Sequence, residues 1–165
     1  MVCWLTGLSG AGKTTIGREL YKQWKKNEPA LVLLDGDELR EVFGGAYGYT
    51  REDRKKISMQ YSKLCKMLAE QGINVILCGI ILLEEIRQWN YANIPNYKEI
   101  FISVPMDILK QRDKKGLYGG KADNVMGVDI AADFPAKPDL EILNDGSKTA
   151  EEIAGYIMQQ LVESK

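Results

Sequence analysis

The sequence predicts an α/β fold of three layers, with a parallel sheet of about five strands flanked by helices. Two observations carry this. Short apolar runs alternate with helical patterns of ten to twenty residues, and parallel strands need such crossovers between them. The 165 residues contain no internal repeat, low-complexity tract or interdomain linker, so one domain spanning 1–165 is expected.

The first strand is expected in Met1 to Thr6 and is followed by Gly7-Leu8-Ser9-Gly10-Ala11-Gly12-Lys13-Thr14-Thr15. This is a complete G-x-x-x-x-G-K-[ST] loop, and it points to a nucleoside triphosphate. Backbone N–H groups must close around phosphate oxygens, and a β-carbon at Gly7 or Gly12 would obstruct that approach. Lys13 then reaches the β- and γ-phosphates, Thr14 offers its hydroxyl to Mg²⁺, and the helix N-terminus adds partial positive charge. Thr15 is assigned to support of the loop. Ile16, Leu20 and Trp24 recur every four residues and give the next helix one apolar face. Lys22, Lys25 and Lys26 fall on its wet face.

Further strands are expected at Ala30 to Leu34, Asn74 to Cys78, Glu99 to Val104 and Leu140 to Leu143. Thr50-Arg51-Glu52-Asp53 has capping-box spacing before a helix whose apolar side is Ile57, Tyr61, Leu64 and Leu68. A last helix begins near Thr149, with Glu152 three residues on and Ile153, Ile157 and Leu161 as its stripe. Two irregular segments, Gly44 to Tyr49 and Gly116 to Pro138, are long enough to be lids or binding loops.

Composition excludes several classes. A hydrophobic share of 45% and a charged share of 27% are those of an ordinary globular protein. No apolar run approaches the ~20 residues of a membrane span. The N-terminus opens on strand-like sequence, with no signal peptide expected, so the expected compartment is cytoplasmic. Cys3, Cys65 and Cys78 lie in apolar surroundings without paired spacing and are expected to be reduced core residues. There is no histidine, so a general base must be a carboxylate, lysine, tyrosine or cysteine. A net charge of −1 argues against a nucleic-acid partner and leaves a small anionic ligand compatible.

The second strand leads into Asp35-Gly36-Asp37, with Arg40 a short turn later. Ligands of open α/β sheets sit at the carboxyl ends of the strands, so these carboxylates are expected to face the phosphate loop. A carboxylate there can accept the proton of an attacking hydroxyl or hold water on Mg²⁺, and Arg40 can fork onto a phosphate or sulfate. The plain alternative is an Asp-Gly turn with Arg40 in a surface ion pair. Arg112-Asp113-Lys114-Lys115 places three cations at the start of the second long segment. They can close over a transferring phosphate, or form a solvated charge run. Tyr47 and Tyr49, in a glycine-rich turn, are candidates for stacking on a base.

Taken together, GLSGAGKTT, LDGDELR (34–40), GYTREDR (48–54), QRDKKGLY (111–118) and MGVD (126–129) resemble adenylylsulfate kinase over nearly the whole chain. That family phosphorylates the ribose 3′-hydroxyl of adenosine 5′-phosphosulfate with MgATP. The resemblance implies a phosphate-loop kinase that uses ATP and Mg²⁺, acts on a small nucleotide acceptor and forms a homodimer. It makes Asp35 the general base and gives Arg40 the acceptor's anionic group and Tyr49 a base-stacking position. It assigns Asp37, Arg54 and Met126 to the acceptor site, Lys115 and Lys121 to a lid at 114–130, and Arg112 to the ATP base.

The departures fall on the acceptor side. The family's I-S-P-[FYH]-R appears as Ile80-Ile81-Leu82-Leu83-Glu84, its N-I-R-R as Ile57-Ser58-Met59-Gln60, and its F-T-G-I as Val125-Met126-Gly127-Val128. A hydroxyl, an amide, several cations and an aromatic ring are missing. Adenylylsulfate is the leading acceptor on family breadth. The alternative is the divergent branch that phosphorylates cytidine diphosphoramidate in capsule phosphoramidate biosynthesis, whose pyrimidine needs less stacking surface. Two further alternatives are a nucleotide-dependent switch without catalysis and a kinase for a sugar or other small metabolite.

Overall fold

The computed structural model describes residues 1–43, 45, 47–113, 116–118 and 123–162, with side chains for all of these except residue 162. Strands β1 (Val2–Thr6), β2 (Leu31–Asp35), β3 (Asn74–Cys78), β4 (Tyr97–Ser103) and β5 (Leu140–Leu143) form a five-stranded parallel sheet in the order β2-β3-β1-β4-β5. The expected fold class is the observed one. β2 extends one residue further than its apolar run, bringing Asp35 opposite Cys78. β4 starts two residues early because Tyr97 pairs with Val2.

Helices α1 (Lys13–Trp24), α2 (Gly36–Val42), α3 (Arg51–Glu70), α4 (Glu84–Asn93), α5 (Met106–Gln111) and α6 (Ala150–Ile157) cover the sheet, and a π-helical turn (Met158–Val162) continues α6. β1 is buried along its whole length, as a central strand covered on both faces must be. Cys3 and Leu5 share one core with Ile16, Leu20 and Trp24 of α1 and Ile153 and Ile157 of α6. Val2 and Trp4 share the other with Ile57, Tyr61 and Cys65 of α3 and Ile86 of α4. The stripes read from the sequence are therefore the core faces, with Leu64, Leu68 and Leu161 packed at the margins. All three cysteines are buried free thiols. No helix of the described residues is long and apolar enough to cross a membrane.

The helix starts follow local chemistry. Thr149 and Glu152 form the full reciprocal capping box of α6. Thr50 caps α3 by accepting from Asp53 N, but its partner departs from the box. The Asp53 carboxylate takes the Thr50 hydroxyl at 2.6 Å, because aspartate is one methylene shorter than the Glu that reaches back to the cap backbone. Lys25 is not merely wet: its ammonium donates to Pro29 O and Leu31 O and fixes the turn into β2. Strand order changes direction around β1: the chain runs from β1 out to β2 and back to β3 on one side, then crosses to β4 and β5 on the other. The carboxyl ends of all five strands share one edge, and the crevice of such a sheet opens there.

Candidate active site

The loop leaving β1 is shaped by backbone contacts. Gly7, Gly10 and Gly12 all have positive φ, of 150°, 78° and 90°, and Gly7 and Gly12 also lack room for a side chain. A β-carbon on Gly7 would stand 2.5 Å from Ile102 O, and one on Gly12 would stand 2.7 Å from Asn144 Nδ2. No side chain caps α1, so the N–H groups of its first turn are available to an anion. Leu8 and Ala11 are buried under the loop. Lys13 donates to Leu8 O at 2.7 Å, which folds its ammonium back over the loop.

The loop divides two cavities. The first, a cleft of about 440 Å³, runs from Lys13, Thr14 and Thr15 past Asp35, Asp37 and Arg40 to Tyr49 and Arg54, and is closed by Asn124, Val125 and Met126. Asp35 sits where these walls meet and is only 9% exposed. Its carboxylate accepts the Thr14 hydroxyl at 2.5 Å and Asp37 N at 2.9 Å, the latter capping α2. Two of its four lone-pair positions are thus engaged and two remain for ligands. The Asp-Gly-Asp segment is accordingly the wall of a cleft and not an isolated surface turn.

On the far wall two guanidiniums approach the Tyr49 ring, Arg40 at 4.4 Å and Arg54 at 5.6 Å from its centre. Arg40 is fixed by donation to Tyr47 O and Gly48 O, so it is not in the surface ion pair that the plain reading allowed. Arg54 donates to Tyr49 O and Asn124 O. Burial, with the nearby charge of Arg40 second, lowers the Arg54 pKa. Ile57, Tyr61, Ile80 and Ile81 supply an apolar flank. Tyr61 donates to Gly36 O, and burial pushes its hydroxyl up to about 12. Tyr47 turns away from the cleft, and its hydroxyl accepts from Gln60.

The second cavity, of about 540 Å³, lies across the loop and is lined by Gly10, Gly12, Thr15, Arg112, Tyr118, Asn144 and Lys148 among others. Asn144 joins its parts: its N–H donates to Ser103 O, its side-chain amide to Ala11 O at 2.9 Å, and its carbonyl accepts from Arg112. Tyr118 donates to Ser9 O at 2.8 Å, while Asp113 accepts from the N–H groups of Leu117 and Tyr118. Asp113 and Tyr118 are thereby linked to each other and, through Ser9, to the phosphate loop.

Of the sequence-predicted site residues, Ser9, Gly10 and Gly12 to Thr15 of the loop converge on the first cleft with Asp35, Asp37, Arg40, Tyr49, Arg54 and Met126, Gly7, Leu8 and Ala11 do not line it, and Arg112 stands in the second cavity. Lys115 and Lys121 lie outside the described residues. Sequence reasoning missed Tyr61, Asn124 and Asn144. Asn144 had a usable signal, since it directly follows a strand and strand ends build the site. Cys78 was read as core and is that, but it also floors the cleft, donating to Lys13 O at 3.3 Å. Burial pushes its thiol up to about 12, so it is no ready nucleophile. Among the described residues no group of three His, Cys, Asp or Glu side chains could hold a metal ion. Mg²⁺ in kinases typically takes one or two protein oxygens plus phosphates and water, and the Thr14–Asp35 pair fits that pattern.

A phosphate loop at the sheet's switch point, with a helix-capping aspartate opposite it and a cleft on either side, defines a phosphate-loop nucleotide kinase. The profile of the adenylylsulphate kinase family matches residues 1–143, and the chain belongs to that family. The chain is similar to the cytidine diphosphoramidate kinase of Campylobacter jejuni, with 43% identity over 164 residues, covering 97% of this chain and 95% of that one. It is similar to the adenylyl-sulfate kinase of Halothermothrix orenii, at 36% identity over 97% of this chain and 88% of that one. Its structure is similar to that of the Mycobacterium tuberculosis APS kinase in complex with AMPPNP and APS, with a TM-score of 0.86 and 29% identity, covering 97% of this chain and 96% of that one. It is thus an enzyme, a nucleotide kinase of a family that uses ATP.

Proposed function

We propose that the chain transfers the γ-phosphate of MgATP to the ribose 3′-hydroxyl of a nucleotide, with cytidine diphosphoramidate as the acceptor. ATP lies with its phosphates in Gly7 to Thr15 and its base toward Arg112. Mg²⁺, when bound, neutralises developing phosphate charge, and the Thr14 hydroxyl and the Asp35 carboxylate are the groups that would hold it or its water.

Asp35 carries the reading: its carboxylate is 2.5 Å from the phosphate-loop hydroxyl of Thr14 and opens onto the acceptor cleft. In this role it orients the acceptor hydroxyl and takes its proton as the oxygen bonds to the γ-phosphorus and the bond to the β–γ bridging oxygen breaks, releasing ADP. Lys13 stabilises the transferring group. Arg40 and Arg54 bind the acceptor's anionic chain, Tyr49 and Met126 contact its base, and Asp37 borders its ribose. The segment 114–130, with Lys115 and Lys121, acts as a lid over the transferring phosphate. A homodimer in the cytoplasm completes the reading.

Two observations favour the cytidine compound. The cleft's flank includes Ile57 and Ile81, where the resemblance puts an amide and a hydroxyl, and the relative of that activity is similar along almost its whole length. Adenylylsulfate is the second reading, favoured by the retained Arg40 and Arg54 pair and by the relatives of that name. The test is ADP release by purified protein with MgATP and each acceptor, with the product weighed by mass spectrometry. Saturable, acceptor-dependent ADP release with an acceptor one phosphoryl group heavier is expected. ADP release indifferent to any acceptor would instead make the protein a nucleotide-dependent switch.

A further inference from the structure

We propose that Asp133, outside the cleft, is the positioning residue that holds three walls of the acceptor half in register. The N–H, the carbonyl and the carboxylate Oδ2 of Asp133 are all engaged. Its N–H donates to Leu82 O at 2.9 Å, and its carbonyl accepts from Arg87. Its carboxylate accepts from Glu84 N at 3.1 Å and from Arg51 at 2.8 Å. The partners belong to two walls, and Asp133 itself to a third. Leu82 and Glu84 follow Ile80 and Ile81, which flank the cleft, and the bond to Glu84 N caps α4, whose own N-cap Leu83 offers no side-chain oxygen. Arg51 opens α3 directly after Tyr49 and Thr50, three residues before Arg54. Asp133 itself ends the stem that begins with Asn124, Val125 and Met126.

That stem is internally rigid, so a constraint at one end is felt at the other. Val125 O accepts the N–H groups of Val128, Asp129 and Ile130, Val125 N donates to the Asp129 carboxylate, and Gly127 N donates to Ile130 O. Arg51 adds a second bond to Ala131 O at 3.3 Å. Arg87 is 4% exposed and is itself held by Glu84 and Glu99. Remote groups of this kind set the reach of a binding site, and small displacements of its walls lower occupancy of the productive geometry. None of these hydrogen bonds reaches the phosphate loop, which meets the stem through the packing of Leu8 against Gly127 and Met126, so the larger effect is expected on the acceptor.

The inference rests on the acceptor-site reading above, and two measurements separate its failure from that reading's. With the acceptor that the native enzyme turns over, Asp133→Ala is expected to raise the acceptor KM about tenfold or more with the KM for ATP unchanged within twofold, and Asp133→Glu to recover part of the loss. Equal rises in both KM values, or none, would overturn it. Amide exchange needs no acceptor. In Asp133→Ala, exchange at Val125, Gly127, Asp129 and Ile130 should quicken while amides of the phosphate loop and α1 keep their rates. Unchanged exchange at those four, or quickening across the whole chain, would overturn the proposal even if no acceptor were ever turned over.

Discussion

The two sides of the phosphate loop are built on different principles. On the ATP side, position is set by backbone: three glycines at positive φ, two of them with no space for a β-carbon, and carbonyls of Leu8, Ser9 and Ala11 each taken by one side chain. On the acceptor side, position is set by side chains from four stretches far apart in sequence: Arg40, Tyr49 with Arg54, Ile80 with Ile81, and Asn124 to Met126. A backbone cradle tolerates little change, because each glycine answers to a steric limit. A wall of side chains can be refitted one residue at a time without disturbing the fold, and here the departures from the family pattern are on that wall.

Substitutions can break this division, and the largest effects belong where the halves meet. Asp35→Asn should lower kcat by roughly 10²–10⁴-fold, the range of a lost general base, with the fold intact by circular dichroism. Lys13→Ala should fall at least as far. Near-normal turnover in folded Asp35→Asn would remove its assignment. Next in size is Arg54→Met, which strips a charged donor from the acceptor wall. A charge-assisted bond of about 1.5–3 kcal/mol translates into a roughly ten- to hundredfold rise in acceptor KM, with the ATP KM steady. If both KM values rose together, the two sides would not be separable.

Asn144→Ala probes the opposite side. Losing one neutral hydrogen bond to Ala11 O should raise the ATP KM by about two- to tenfold and leave the acceptor KM alone, as steady-state kinetics with each substrate varied in turn would reveal. The smallest expected effect is on stability. Glu99 is nearly buried below the acceptor half, and burial raises its carboxyl from 4.5 to about 7 against the opposing pull of Arg87. A carboxyl raised in the folded state contributes stability at low pH that is lost as pH climbs through the shifted value. Glu99→Gln removes that loss, so the variant's Tm should gain on the native protein between pH 4.5 and about 7. Parallel Tm curves across that window would contradict it.

The same division explains what could be read from the sequence. The sheet, the helix stripes and the phosphate loop were legible because hydrophobic period and glycine geometry are local signals. So was Asp35, as the last residue of a strand beside that loop. The Arg40–Tyr49–Arg54 cluster was not, although each residue was a candidate, because it depends on how Tyr49 meets side chains of two different helices. Asn144 and Asp133 act through single hydrogen bonds to chain more than forty residues distant, and no local pattern announces such partners. The capping of α4 by Asp133 illustrates the point: Leu83 at the N-cap position carries no sequence mark of a helix start.

The most direct test of a motif-bound ATP side beside a refitted acceptor side is a competition in one vessel, with MgATP and equal concentrations of cytidine diphosphoramidate and adenylylsulfate, reading the ratio of the two phosphorylated products at early times. That ratio is the ratio of kcat/KM values. A large excess of the phosphorylated cytidine compound is the predicted result. An excess of 3′-phosphoadenylylsulfate would mean that the side-chain changes around Ile57 and Ile81 leave the acceptor preference of the family untouched.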